Sequence, residues 1–263
     1  MNTVILCGYP NSPYARSILK ALNAQGLTRI NVVAGSGGGT GTKGGWGKYG
    51  LRFLLVLVRS ALSRVKDGVL SCIRSRADAS QTLEGEVVAQ GGEFRCVQDV
   101  NGSEAQRAIE TLGADLMILG GAPIVKAHIL GVPRMGTLNA HLGALPRFRG
   151  MNVIEWALIE GDAPMITIHF VDPGVDTGDI VSMDRIPVKT NETLSSIREA
   201  VVGLQSALLA RTAAQLAKGA IPRQTQRKED GKQYYTMHPV LKVVAEARLQ
   251  QHASGAAMQA SVG

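Results

Sequence analysis

The sequence predicts an α/β domain built on a largely parallel sheet. Short apolar runs, which suit buried strands, alternate along the chain with longer segments whose apolar residues recur at helical spacing. The chain opens with a β-α-β pattern, and its 263 residues, 45% of them hydrophobic, can bury one substantial core. Such a sheet binds ligands outside the carboxyl ends of its strands, so we expect the functional site there.

Each strand is predicted from an apolar run flanked by turn-forming residues. The helix Pro13 to Gln25 follows the first strand, and its early proline fits the first helical turn. The predicted strands are Thr3 to Cys7, Ile30 to Ala34, Phe94 to Val97, Leu116 to Leu119, Thr137 to His141, Met165 to Phe170 and Ile180 to Pro187.

Two further helices have terminal signals. Ser103 and Gln106 predict a capping box for a helix that ends near Gly113. The apolar pattern from Leu194 to Leu216 predicts a long helix that ends at Lys218 and Gly219. We therefore place the main domain at residues 1–219.

A short extension, residues 220–263, is predicted to follow the main domain. It should contribute a strand or loop around Tyr234 and Tyr235, then a helix from Pro239 to Gln250. The small residues after Ser254 have little to bury, which predicts a disordered end.

Residues 35–80 form a glycine-rich and basic insert. Gly39 to Gly44 matches the dinucleotide fingerprint only formally, because no helix follows it, so a flexible loop is favoured. Leu51 to Arg76 reads as an amphipathic helix packed on the domain, with contact to a membrane surface or to an anionic acceptor as alternatives. Its bases carry much of the net charge of +7: Lys43, Lys48, Arg52, Arg59, Arg64, Lys66, Arg74 and Arg76 surround a single acid, Asp67.

The other compositional features favour a cytoplasmic protein without a metal site. Cys7, Cys72 and Cys96 are far apart and lack the spacing of metal ligands or of a disulfide framework. The first residues lead directly into a strand and show no export signal. The apolar run Phe53 to Val58 is too short to span a bilayer.

Two polar residues on one predicted strand are the first candidate site. Asn139 and His141 are two positions apart, so their side chains point to the same face. An amide beside an imidazole offers two donors to an oxygen that becomes negative, as acyl transfer requires. On spacing alone, two satisfied polar residues at a strand end are an equally good interpretation.

A second candidate lies in the turn-rich segment after Met165 to Phe170. Asp176 sits there on a tight loop, where its carboxylate can orient and charge a neighbouring imidazole. For Asp172 and Asp179 we favour turn capping and solvated charge. We interpret His128 and His169 as structural or exposed, because neither has a convergent partner in the sequence pattern.

Together these motifs resemble the folate-dependent formyltransferase family. The resemblance lies in Asn-x-His-x-x-x-Leu-Pro-x-x-Arg-Gly, which begins at Asn139, followed downstream by Val-Asp-x-Gly-Val-Asp-x-Gly, which ends at Gly178. It implies the family's Rossmann-like formyltransferase fold, with 10-formyltetrahydrofolate as co-substrate. It also implies catalytic roles for Asn139, His141 and Asp176.

The resemblance further assigns binding residues. Those implied for the folate are Leu119, Gly120, Gly121, Ala122, Pro123, Val171, Asp172, Gly174 and Val175. On the acceptor side we consider Gly8, Asn11, Ser12, Arg149, Gly150 and Asn152. Glycines in the first group should let the backbone approach the pterin closely.

Substrate choice within the family stays open. The residues after Gly219 are too few for the extra β-barrel of methionyl-tRNA formyltransferases, so we expect no nucleic-acid partner. The turn Gly8 to Ser12 differs from the Gly-Ser-Asn phosphate loop of the purine enzyme. An amino sugar or another specialised metabolite amine is favoured as the small-molecule acceptor, and an anionic acceptor would suit the basic chain. The alternatives are a formyltetrahydrofolate hydrolase-like enzyme, a methionyl-tRNA formyltransferase-like enzyme and a non-catalytic folate-binding or membrane-surface module. The oligomeric state is also left open.

Overall fold

The computed structural model describes residues 1–36 and 82–262. Gly39 to Gly44 and the basic segment Leu51 to Arg76 lie outside the described residues. The strands are β1 (Thr3–Cys7), β2 (Asn31–Gly35), β3 (Phe94–Val97), β4 (Leu116–Leu119), β5 (Gly136–His141), β6 (Phe148–Gly150), β7 (Met165–Phe170), β8 (Ile180–Arg185) and β9 (Lys232–Tyr234). The helices are α1 (Pro13–Ala24), α2 (Leu83–Ala89), α3 (Ser103–Thr111), α4 (Ala127–Leu130), α5 (Val153–Glu160), α6 (Leu194–Lys218) and α7 (Pro239–Val262).

Seven strands form one sheet in the order β3-β2-β1-β4-β5-β7-β8. All pairs from β3 to β5 are parallel, whereas β7 runs antiparallel to both β5 and β8. The prediction of a largely parallel sheet is therefore confirmed. The reversal at β7 matters for the site, because it places the middle of β7 directly beside β5.

The sheet is buried on both faces. Along β1, Ile5 and Cys7 join a core that also contains α1 and α6, while Val4 and Leu6 face a second core with α3 and α4. This alternation follows from the two-residue period of a strand, and continuous apolar strands are expected where helices cover both faces. A strand with apolar residues on both faces fits only the interior of such a sheet.

Helix ends differ from the predictions in two places. The predicted capping box at Ser103 and Gln106 is wrong, since Gly102 is the N-cap of α3 and has no side chain that could accept. The long helix α6 instead begins with a capping box between Thr193 and Ser196. In place of a helix that ends near Gln250 and a disordered end, α7 stays helical through Val262, consistent with the high helix propensity of alanine.

The chain after α6 returns to the middle of the molecule. There β9 pairs in parallel with β6 in a separate two-stranded sheet, with Gly150 opposite Tyr234. Tyr234 also stacks on Phe148, with ring centroids 5.3 Å apart. Among the described residues, no helix is both long and apolar enough to cross a membrane.

Candidate active site

The candidate site lies where β5 and β7 run side by side. In this antiparallel pair, Asn139 is directly opposite His169, and His141 is opposite Thr167. Since residues two apart share a face, these four side chains lie on the same face of the sheet. The predicted convergence of Asn139 and His141 therefore gains a third polar partner, His169.

One hydrogen-bond chain fixes the orientation of Asn139. The Nδ1 of His169 lies 2.7 Å from the backbone oxygen of Phe170. A carbonyl oxygen can only accept, so Nδ1 donates, and Nε2 of the neutral ring is an acceptor. That Nε2 lies 3.2 Å from Nδ2 of Asn139, which must donate to it. The amide thus turns its nitrogen toward His169.

His169 is held neutral by its surroundings. Only 1% of the residue is exposed, and this burial, together with the positive charge that His141 can carry, lowers the pKa of His169 to about 4. At neutral pH its Nε2 therefore remains free of a proton and able to accept from Asn139. Among the described residues the second N–H of Asn139 has no partner, which leaves it available to a substrate oxygen.

His141 and Asp176 form a second pair. His141 Nε2 donates to the backbone oxygen of Phe148 at 2.7 Å, so Nδ1 faces Asp176, with 3.4 Å between Nδ1 and Oδ2. Nδ1 can therefore take up a proton and then pair with the carboxylate. In this geometry both ring nitrogens are engaged, so the oxyanion donor is better supplied by Asn139 than by His141.

Asp176 is held by its backbone and by its carboxylate. Its φ of +53° is in the left-handed region, which is uncommon for residues other than glycine. The N–H of Gly150 donates to Oδ2 at 2.8 Å, and His169 Nε2 lies 3.7 Å from Oδ1. The carboxylate is therefore bonded to β6 and lies beside the histidines of β5 and β7.

The loop before Asp176 is shaped by Asp172. Its Oδ1 accepts from the N–H of Gly174 at 3.1 Å and from the hydroxyl of Thr177 at 2.6 Å. These contacts match the predicted turn-capping role of Asp172. A cavity of about 560 Å³ is lined by this loop together with Arg149 and Gln226.

The interpretation of His169 as a residue without a convergent partner is wrong. His169 touches Asn139, faces Asp176, and its ring centroid is 6.2 Å from that of His141. This contact depends on the pairing of Met165–Phe170 with β5. No local sequence pattern predicts that the two strands are antiparallel neighbours. His128, by contrast, is exposed, with Nε2 3.0 Å from the backbone oxygen of Asn101.

The two segments assigned to folate pack against one apolar cluster. Leu119 and Ala122, from the loop after β4, pack against the same apolar cluster as Val171, which starts the loop after β7. Gly120 has no room for a side chain, because an added Cβ would lie 2.8 Å from Ile5 Cγ2. Gly121 has a φ of +84°, which favours glycine.

The six residues considered for the acceptor fall into two groups. The N–H of Gly8 donates to the backbone oxygen of Gly121 at 3.3 Å, and the Ser12 hydroxyl donates to that of Gly120 at 3.0 Å. The turn after β1 therefore supports the folate-side loop. Ser12 also caps α1, and Asn11 Oδ1 lies 3.4 Å from the N–H of Leu83, from which it accepts.

The second group uses its polar atoms within the protein. Arg149 is 4% exposed and donates to Gln226 and to the backbone oxygen of Arg227. Asn152 donates to Glu155 at 3.2 Å and accepts from the N–H of Met237 at 3.0 Å. Gly150 holds Asp176. These contacts connect the segment 148–152 to the C-terminal part of the chain.

Comparison with known proteins shows the family of the chain. A family model described as formyl transferase matches residues 73–213, more than half of the 263 residues. The chain belongs to the formyl transferase family. The match includes β5, β7 and the Asp176 loop, so the candidate site lies in the part of the chain that carries the family's sequence pattern.

Relatives with curated names are methionyl-tRNA formyltransferases. That of Delftia acidovorans (strain DSM 14801 / SPH-1) is 34% identical over 127 residues, which cover 48% of this chain and 39% of the relative. The chain thus spans well under two thirds of the relatives it matches in this family.

Solved structures of formyltransferases share the fold over nearly the whole chain. A sugar N-formyltransferase from Shewanella sp FDAARGOS_354 has a TM-score of 0.56 and 13% identity, covering 95% of this chain and 88% of its own. An N-formyltransferase from Helicobacter canadensis, solved with folinic acid and dTDP-3-aminofucose, has a TM-score of 0.55 and 12% identity, covering 95% and 81%. The formyltransferase fold is confirmed.

Proposed function

We propose that this protein is an N-formyltransferase that moves the formyl group of 10-formyltetrahydrofolate to an amine of a small molecule. The observation that carries the proposal is the cluster in which Asn139 is oriented by His169 while His141 faces Asp176. It combines a neutral amide donor with a proton-accepting pair. Formyl transfer to an amine requires both in one place.

The chemistry follows from these two functions. The acceptor nitrogen attacks the formyl carbon, and the electrons of the C=O bond move to oxygen, which accepts from the free N–H of Asn139. The pair of His141 and Asp176 takes the proton that the attacking amine loses, directly or through a water molecule, and holds it between Nδ1 and the carboxylate. When the bond from carbon to N10 breaks, that proton goes to N10, which releases tetrahydrofolate and the formamide product.

For the donor we propose the loops Leu119 to Pro123 and Val171 to Val175. Both loops pack against one apolar cluster, and each has a glycine where neighbouring atoms leave no room for a Cβ. This arrangement suits a flat, apolar pterin held by backbone groups. The folinic acid in the Helicobacter canadensis structure supports a reduced folate as the ligand of this fold. We therefore retain 10-formyltetrahydrofolate as co-substrate.

For the acceptor we propose a nucleotide-linked amino sugar. Two of the fold neighbours described above are a sugar N-formyltransferase and an enzyme solved with dTDP-3-aminofucose, and each aligns with 95% of this chain. The sequence relatives, which are methionyl-tRNA formyltransferases, make formylation of methionyl-tRNA the second candidate. The turn Gly8 to Ser12 remains our proposed acceptor-side element, next to the folate-side loop that it contacts at Gly120 and Gly121.

An acceptor panel tests the proposal. The protein is incubated with 10-formyltetrahydrofolate and, separately, with a dTDP-amino sugar, a UDP-amino sugar, glycinamide ribonucleotide or methionyl-tRNA, and released tetrahydrofolate is followed. We expect release that depends on an amino sugar. Release only with methionyl-tRNA would select the second candidate, and equal release without any amine would indicate a hydrolase.

A further inference from the structure

The C-terminal segment 224–234 contacts the Asp176 loop. Its central residue is Gln226, whose side-chain nitrogen donates to the backbone oxygen of Gly178 at 2.6 Å and to that of Asp176 at 3.2 Å. Both ends of the turn that carries the carboxylate are thus bound by one amide.

Arg149 fixes the direction of the Gln226 amide. Its Nε and Nη2 donate to Gln226 Oε1 at 3.2 and 3.0 Å, and Nη2 also donates to the backbone oxygen of Arg227 at 2.9 Å. An arginine can only donate, so the oxygen of Gln226 must face Arg149 and the nitrogen must face the two carbonyls. Arg149 is 4% exposed, which strengthens these bonds.

The same segment also holds the donor to the Asp176 carboxylate. Strand β9 pairs with β6, and the N–H of Gly150 in β6 donates to Asp176. The approach is close: a Cβ added at Gly150 would lie 2.2 Å from the Tyr234 oxygen, and one added at Gly231 would lie 1.7 Å from that of Pro146. The segment therefore positions Asp176 through its backbone and its carboxylate.

We propose that Gln226, oriented by Arg149, is a positioning residue for Asp176. Asp176 has a left-handed backbone, which is strained for a residue with a side chain and persists only where neighbouring contacts impose it. The two bonds from Gln226 impose this conformation, because without them the backbone carbonyls of Asp176 and Gly178 would lose their donor. This role rests on the proposed function, since it acts through the carboxylate that supports His141.

The test compares two changes at Gln226 with a matched control. Gln226→Met keeps the length of the side chain and removes all its hydrogen bonds. Gln226→Glu keeps an oxygen for Arg149 but lacks the N–H donors, and it serves where the methionine variant does not fold. Gln224→Met is the control, because Gln224 is exposed and only its backbone pairs with Ile180.

Two measurements decide the role. Displacement of a catalytic group by about 1 Å can cost roughly 100-fold in rate, so kcat should fall about 10- to 100-fold in both Gln226 variants, with KM for folate and acceptor within about twofold. Hydrogen exchange of the amides in residues 171–179 should quicken in these variants and not in Gln224→Met. Wild-type kcat and unchanged exchange in the Gln226 variants would overturn the proposal, as would a retained kcat in Gln226→Glu.

The outcomes separate this inference from the proposed function. If the unmodified protein releases no tetrahydrofolate with any acceptor of the panel, the proposed function fails. The exchange measurement still decides the role of Gln226, because it needs no substrate. Faster exchange confined to the Asp176 loop supports the positioning role, and exchange equal to that of Gln224→Met contradicts it.

Discussion

At the residue scale, the direction of one amide decides what Asn139 can do. Because His169 accepts from Nδ2, one N–H of Asn139 is used internally and the other is directed elsewhere. An oxyanion donor that is already oriented costs no reorganisation during the reaction. His169, which is neutral at neutral pH, thus contributes to catalysis by orienting the amide of Asn139.

Replacing Asn139 by alanine removes the proposed oxyanion donor. Loss of one such donor commonly costs 100- to 1000-fold in kcat, or about 3 to 4 kcal/mol. We expect Asn139→Ala to lose this much while binding of a stable folate analogue, measured by calorimetry, changes little. Turnover close to that of the unmodified protein would remove Asn139 from the catalytic role.

The lowered pKa of His169 predicts a pH dependence of stability. Its folded pKa of about 4 lies below the ordinary value of 6.5, so the unfolded chain binds more protons between these values. Protonation therefore favours unfolding, and stability from this residue, up to about 3 kcal/mol, is lost as pH falls from 6.5 to 4.

His169→Gln isolates this effect, because glutamine can accept from Asn139 and does not titrate. Denaturant unfolding at pH 7 and at pH 4.5 should show a larger loss of stability in the unmodified protein than in His169→Gln. Equal losses in the two proteins would mean that His169 is not the titrating group.

At the element scale, the pairing of β6 with β9 sets the position of the catalytic loop. Gly150 has a φ of +97° and no room for a Cβ beside the Tyr234 oxygen. Gly150→Ala should lower the free energy of unfolding by about 1–3 kcal/mol and also lower kcat, since the N–H of Gly150 holds Asp176.

Gly203 provides the matched control for Gly150→Ala. It is exposed within α6, and an added Cβ would meet nothing within 4 Å. Gly203→Ala should raise the free energy of unfolding by about 0.5–1 kcal/mol, because alanine has the higher helix propensity. Equal effects of the two substitutions would contradict the close approach of β6 and β9.

Binding of the donor should depend on the turn at Gly121. Gly121→Val strains a φ of +84° and adds bulk where we propose that backbone approaches the pterin, so folate affinity should fall. Gly91→Val is the control, because Gly91 has a φ of +75° and open space around it. Calorimetric titration with a folate analogue measures both, and equal affinities would move the pterin away from this turn.

The elements that could be predicted are those whose burial is evident from the hydrophobicity of their own residues. Strands such as Thr3–Cys7 and Leu116–Leu119 are apolar on both faces, and their boundaries are confirmed. The short strands β6 and β9 depend on each other across the chain, so neither has a local signal strong enough to define it. For the same reason the roles of His169 and Gln226 could not be predicted, since each depends on a partner distant in sequence.

At the scale of the whole molecule, the fold brings segments that are distant in sequence into contact. The turn after β1 and the loop after β4 contact each other, and the loop after β7 contacts the return of the chain through Gln226. The domain and the proposed extension therefore meet at the site. Assignment of the main domain to residues 1–219 stays a prediction, with the added expectation that the site needs residues up to Tyr234.

In the proposed reaction the formyl carbon is transferred from the folate to the nitrogen of a small amine. The most direct measurement supplies 10-formyltetrahydrofolate labelled with ¹³C in its formyl group, together with a dTDP- or UDP-linked amino sugar, and follows the label by NMR. We expect the label to move to the N-formyl group of the sugar at a rate that depends on the protein. Label found only as free formate, or retained in the folate with every amine tested, would contradict it.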